Sequence, residues 1–227
     1  TSRGGWVVRM GDHAMKPLPV MENVIDYPFT KFKSDFMDLC LIQNCLFFIG
    51  SQSGPYELAK LLRKNSLLIN MYSGIFGGPF HTRDAAIFQH VYSKKDKRYL
   101  SIKELCSVTF SDIPVDWKIK NAEKGSAIQY KINDEDYALT KNSEREISMA
   151  VLEYMDFLSN DEPPLISKQK EYKKYRKIQV HDILECNRIT SPKTASDEDD
   201  MIQHYRAAAL LEMTQGTICA GFLEKNW

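Results

Sequence analysis

The sequence has no excess of charge of either sign: 30 lysines and arginines stand against 30 aspartates and glutamates. A neutral chain sets up no global field toward nucleic acid or an anionic membrane, so function has to rest on local chemistry. Long apolar runs are missing as well. A run such as Cys45 to Ile49 falls far short of the roughly 20 residues that a membrane helix needs. The charged opening Thr1-Ser2-Arg3 has no apolar stretch of the secretion-signal kind and no initiator methionine, which points to a fragment or a processed chain. Cysteine is scattered: Cys40, Cys45, Cys106, Cys186 and Cys219 are odd in number, with no C-x-x-C pair and no histidine at zinc spacing. Reduced thiols in a cytoplasmic compartment are expected. Several catalytic signatures are absent too. There is no Walker A lysine and no G-x-G-x-x-G, and the nucleophile-elbow position in Gly50 to Gly54 holds Gln52. P-loop, dinucleotide and serine-hydrolase chemistry are thereby set aside.

What is present is enough for a sizeable core: 227 residues, 43% of them hydrophobic. Trp6 to Arg9 reads as a short buried strand between Gly4-Gly5 and Gly11-Asp12, and Val24 to Tyr27 as a second. Ser34 is a natural N-cap for a helix running to about Asn44, expected to be well buried. The clearest unit follows. Strand Cys45 to Ile49, loop Gly50 to Pro55, helix Tyr56 to Arg63 and strand Ser66 to Met71 form a crossover that predicts a parallel sheet. A second glycine-rich loop, Ser73 to Pro79, leaves the same sheet edge. Thr82 to Val91 suggests a short helix. Ser101-x-x-Glu104 and Ser143-x-x-Glu146 are capping boxes, the second opening a helix with Ile147, Val151, Tyr154 and Leu158 on one stripe. Lys168 to Lys177 reads as a solvated helix with tyrosines packed inward, residues 190–200 as a polar linker, and 201–215 as a final helix. These readings give an α/β Rossmann-like domain over residues 1–160 and a mostly helical appendage over 161–227 packing on it.

The loop Gly50-Ser51-Gln52-Ser53-Gly54-Pro55 carries the chemistry. Between a strand and a helix, its amides and those of the first helical turn converge, and such a nest accepts phosphate oxygens. Ser51 and Ser53 add hydroxyls, Gly54 permits close approach, and Pro55 preorganises the first turn. The same residues equally suit a plain tight strand-to-helix turn. At the end of the first strand, Arg9 is placed to clamp a diphosphate and Asp12 to hold Arg9 or a sugar hydroxyl; an Arg–Asp pair closing a turn is the alternative. His13 is a solvent-facing loop residue or a base, and with Asp12 it is a candidate for the catalytic role. Asp35 and Glu57 sit in first helical turns, where they complement the helix dipole or reach ligand hydroxyls. His81, Arg83 and Asp84, which follow the second glycine-rich loop, read as solvated surface, the alternative being a face toward the acceptor or the base.

The order Arg3-Gly4-Gly5-Trp6-Val7-Val8-Arg9-Met10-Gly11-Asp12, Val24-Ile25-Asp26-Tyr27, Ser34-Asp35-Phe36-Met37-Asp38 and Phe47-Phe48-Ile49-Gly50-Ser51-Gln52-Ser53-Gly54 resembles a bacterial family of glycosyltransferases of surface-polysaccharide synthesis. The tail Gly216 to Trp227 is similar to the family's C-terminal end. More distantly, the strand-Gly-Ser-x-Ser-Gly-helix pattern is similar to the donor loop of heptosyltransferases and protein O-fucosyltransferases. The resemblance implies one half of a GT-B fold, the C-terminal donor-binding half, with an acceptor domain N-terminal to it in a parent chain. It implies a nucleotide-diphosphate sugar as donor, a glycan or other acceptor, and transfer without a metal or other cofactor, since helix termini and basic side chains stabilise the leaving diphosphate. The donor-binding set it implies is Arg9, Gly11, Asp12, Ser51, Gln52, Ser53 and Gly54, to which Asp35 and Glu57 are added from their own placement in first helical turns; the expected setting is cytoplasmic, either in solution or at the inner face of the membrane. A non-catalytic nucleotide-binding or assembly module that retains the Rossmann-like half is the competing reading.

Overall fold

The computed structural model describes residues 4–71, 79–107, 115–118, 129–132, 136–160, 167–175 and 215–227. The crossover expected from the sequence is its centre. Strand β3 (Phe48–Gly50) runs parallel to β4 (Ser66–Met71), with Phe48 opposite Ser66 and Gly50 opposite Leu68, and helix α2 (Gly54–Leu61) connects them. β5 (Ala85–Phe88) lies parallel to β4, and β11 (Thr217–Ile218) parallel to β5, giving a four-stranded parallel sheet in the order β11-β5-β4-β3. Leu67, Leu68, Ala86 and Ile87 are fully buried in its middle. That is the pattern of strands covered on both faces. Each such leucine or isoleucine contributes about 1.5–3 kcal/mol relative to remaining in water. The covering helices are identified by alternation along the chain. Phe48 stacks on Tyr56 of α2 with ring centroids 6.4 Å apart, while its neighbour Phe47 meets Tyr154 of α4 (Glu144–Asn160) edge-on at 5.3 Å. Successive side chains of an extended segment leave on opposite sides, so α2 and α4 cover opposite faces.

The segment 82–91, expected as a helix, forms β5 and then β6 (His90–Ser93). All four residues of β5 are buried, so the run shows no alternation, and a short apolar run of this kind has no period by which strand and helix are told apart. β6 pairs antiparallel with β7 (Arg98–Tyr99) across the basic turn, and with β10 (Tyr137–Thr140). β8 (Val115–Lys118) and β9 (Gln129–Ile132) form a separate antiparallel pair. Both capping boxes form. In α3 (Ile102–Ser107) the Glu104 amide donates to Ser101 Oγ and the Ser101 amide to Glu104 Oε2; α4 begins with the same exchange between Ser143 and Glu146.

Three further expectations are revised. The strand β1 (Val7–Arg9) does not pair with β3 but makes its own two-stranded parallel sheet with β2 (Val24–Asp26). Helix α1 (Asp35–Asn44), capped by Ser34 as expected, is not well buried: Ile42 is its one buried residue and Phe36 is 72% exposed. The stretch beyond residue 160 does more than pack on the core, because β11 completes the sheet and the C-terminal helix (Ala220–Asn226) buries Phe222 and Leu223. Residues 167–175 are helical with Tyr172 buried, as the inward tyrosines predicted. The linker 190–200 and nearly all of the final helix 201–215 lie outside the described residues, as does most of the second glycine-rich loop.

Candidate functional site

In a parallel sheet, ligands collect at the carboxyl edge, where loops meet helix N-termini. Here β3 delivers the loop Gly50–Pro55 to that edge, and Ser51, Gln52, Ser53, Gly54 and Pro55 are all exposed. Ser53 stands at the N-cap of α2 in extended conformation (φ −158°, ψ 171°), yet its side chain does not cap the helix. Its hydroxyl instead donates to the Ser51 carbonyl oxygen at 3.1 Å. An N-cap serine normally satisfies one of the free amides of the first turn; with that role unfilled, the electropositive end of α2 opens to solvent. Gly54 adds room, since a Cβ there would meet nothing within 4 Å. Pro55, in the first turn of α2, has no amide to leave unpaired.

Glu57, expected to serve the dipole or a ribose hydroxyl, forms an ion pair with Lys60 one turn along the helix. Lys60 Nζ in turn lies 4.2 Å from the centre of the Phe80 ring. Asp35 is exposed in the first turn of α1.

At the end of β1 the arrangement differs from the one expected. Asp12 does not hold Arg9: Arg9 Nε donates to Asp26 Oδ1 at 2.6 Å and Nη1 to the Lys16 carbonyl oxygen at 3.0 Å. The second oxygen of Asp26 accepts the Leu18 amide at 2.8 Å, so Arg9 and Asp26 together tie down the excursion between β1 and β2. Asp12 accepts the Ala14 amide at 2.8 Å, closing its own turn. The exposed ring of His13 meets Phe29 edge-on at 5.8 Å, with no acid or nucleophile placed against it by any described contact. Gly11, at φ 150°, holds a backbone conformation that favours glycine; a Cβ there would also have to displace the flexible Met15 side chain. One feature of Arg9 fits the donor reading: Nη2 is buried without a hydrogen-bond partner. Met10, just beyond, packs on the central core.

The cluster His81, Arg83 and Asp84, read as solvated surface, is structural and sits at the opposite, amino edge of the sheet. Asp84 is fully buried; its carboxylate accepts the Ser66 amide at 2.9 Å and the His81 amide at 3.0 Å. Burial pushes its pKa up while those amides pull it down, and the net direction is upward. Arg83 Nη2 donates to the Leu158 carbonyl oxygen, and the Tyr154 hydroxyl to that of Arg83, fastening α4 to the start of β5. Sequence reasoning also missed Asn70. Its backbone is left-handed (φ 51°) at a register shift in β4, and it exchanges two 2.7 Å hydrogen bonds with Asn142. No local signal pairs residues 70 and 142; their side chains meet only through the fold.

Among the described residues no group of three or more histidines, cysteines or acids is placed to hold a metal ion, and no helix is long and apolar enough to cross a membrane. Compared with known protein families, curated proteins and solved structures, the chain matches none.

Proposed function

We propose that the chain is the donor-binding half of a GT-B-type glycosyltransferase and holds a nucleotide-diphosphate sugar at the loop Gly50–Pro55. The observation that carries this reading is the uncapped N-terminus of α2 at the carboxyl end of a parallel strand, with Ser53 in the N-cap position and not capping. Exposed amides and the hydroxyls of Ser51 and Ser53 are the right chemistry for a diphosphate, and a helix N-terminus supplies that stabilisation without a cation. Arg9 Nη2 is a further donor at the end of β1.

A second reading, a binding module without catalysis, draws support from the other half of the candidate site. Asp12 is spent on the Ala14 amide and Arg9 on Asp26, and His13 rests on Phe29, so no described contact prepares a base. Both readings share the nucleotide site and part at sugar transfer to an acceptor.

The test is calorimetric titration with UDP, GDP, ADP and CMP and their sugars, with and without chelator. One nucleotide diphosphate is expected to bind equally in both conditions. Ser53→Ala should weaken it by about 1.5–3 kcal/mol, roughly ten- to a hundredfold, at unchanged melting temperature. Arg9→Ala should lower stability as well, because Asp26 loses its partner. Absence of binding by every nucleotide, or parent-like affinity in Ser53→Ala, refutes the assignment.

A further inference from the structure

A groove of about 700 Å³ lies between α4 and the C-terminal helix. Its size is that of a small-molecule site, typically about 300–1,000 Å³. Met149, Leu152, Phe157 and Phe222 line it with apolar surface, and Met149 and Leu152 are left 55% and 42% exposed although they face it. Two of its acids are engaged by hydrogen bonds within the protein. Glu153 accepts the amides of Ala220 and Gly221 at the start of the C-terminal helix. Glu146 accepts the Ser143 amide and hydroxyl at 2.9 and 2.8 Å and lies 3.0 Å from His90 Nε2.

Of the two cations of the groove among the described residues, one is unengaged and the other is held by a long ion pair. Arg145 has no hydrogen bond or ion pair among the described residues, and Lys225, 70% exposed, lies 3.6 Å from Glu146. Both belong to the end of the groove beside Ser143 and Glu146. Asp156 is eleven residues further along α4, about 16 Å at 1.5 Å per residue. The groove is therefore uneven: Arg145 and Lys225 gather at one end around the single carboxylate of Glu146, Glu153 and Asp156 lie further along, and Met149, Leu152, Phe157 and Phe222 supply apolar surface between them.

We propose that it binds an amphiphile, with a carboxylate head between Arg145 and Lys225 and an apolar body along Met149, Leu152 and Phe222. A monoanion suits the head position better than a phosphate monoester, because Glu146 stands beside Lys225 and repels a second negative charge. This site is separate from the loop at β3 and does not depend on the donor reading.

Decanoate titrated into the chain by calorimetry is expected to bind saturably at one site, and decyltrimethylammonium and acetate are expected not to. Arg145→Gln with Lys225→Gln should weaken decanoate about tenfold or more, and Leu152→Asp should abolish binding. All three residues are exposed, so the melting temperature should hold and a lost signal reports the site. The proposal is overturned if decanoate shows no saturable binding, if the cationic amphiphile binds as well, or if the double variant keeps parent affinity.

Discussion

Asn142, two residues before α4, ties the chain to the sheet by hydrogen bonds to Asn70 and Phe88, and its replacement tests the packing argument. It is 7% exposed, its Oδ1 accepts the Asn70 amide at 2.7 Å, and its Nδ2 donates to the Phe88 carbonyl oxygen at 2.6 Å. In return the Asn142 amide donates to Asn70 Oδ1. Asn142→Ala strands one amide and one carbonyl in the interior. Each unsatisfied group costs about 1–3 kcal/mol, so the loss should be about 2–6 kcal/mol, a large part of the roughly 5–15 kcal/mol that holds a domain folded. Asn142→Asp separates this account from simple cavity formation. It keeps the size and the acceptor for Asn70 but sets an oxygen against the Phe88 oxygen and buries a charge. Its carboxyl is then expected to titrate above the ordinary range in the folded state. The penalty is accordingly smallest below the unfolded pKa, where a protonated carboxyl can donate to Phe88, and grows as pH rises through the folded pKa. Urea unfolding followed by circular dichroism at pH 4 and pH 7 measures both effects. A loss under 0.5 kcal/mol in Asn142→Ala, a threshold at about the scatter of ordinary surface substitutions, refutes the reasoning, and so does a pH-independent penalty in Asn142→Asp.

Two further outcomes are expected. The Arg98 guanidinium and the Ser101 amide hold the Glu104 carboxyl down from 4.5 to about 2, so its contribution is present above pH 4.5 and lost as pH falls toward 2. Because the side chain is 39% exposed, screening keeps that contribution within about 1 kcal/mol; acid unfolding of Glu104→Gln should show a correspondingly shallower loss than the parent, and identical acid profiles would contradict it. Gly216→Ala would put a Cβ 2.4 Å from Pro79 Cβ and 2.7 Å from the Asp84 carbonyl oxygen, forcing β11 off the sheet edge at a cost of about 1–3 kcal/mol in urea unfolding, and parent-like stability would show that this edge yields freely.

The parts of this fold that were legible in the sequence are those whose determinants lie within a few residues of one another. The boxes Ser101–Glu104 and Ser143–Glu146 are complete within one turn, and both form. The unit from β3 to β4 is punctuated by Gly50, Gly54 and Pro55, and it folds as the parallel crossover they imply. Ala85 to Phe88 failed because burial on both faces removes the alternation that marks a strand. β11 is two residues long and takes its identity from β5, more than a hundred residues earlier in the chain. For Arg9 the kind of interaction was readable and the partner was not. An Arg–Asp pair does form there, but it closes no local turn: the path of the chain brings Asp26, 17 residues on, to the guanidinium and sends Asp12 to a neighbouring amide. The consequence for the candidate site is one-sided. The features on which the proposed phosphate site rests are the local ones, the exposed loop Ser51 to Gly54 and the first turn of α2. For the nucleotide-sugar site we propose, discrimination of base and sugar would need side chains from distant segments, and those are the contacts that only the assembled fold decides. Asp84 shows how far that decision departs from composition: a charged residue in a polar stretch, His81 to Asp84, ends fully buried because the Ser66 and His81 amides are there to receive it.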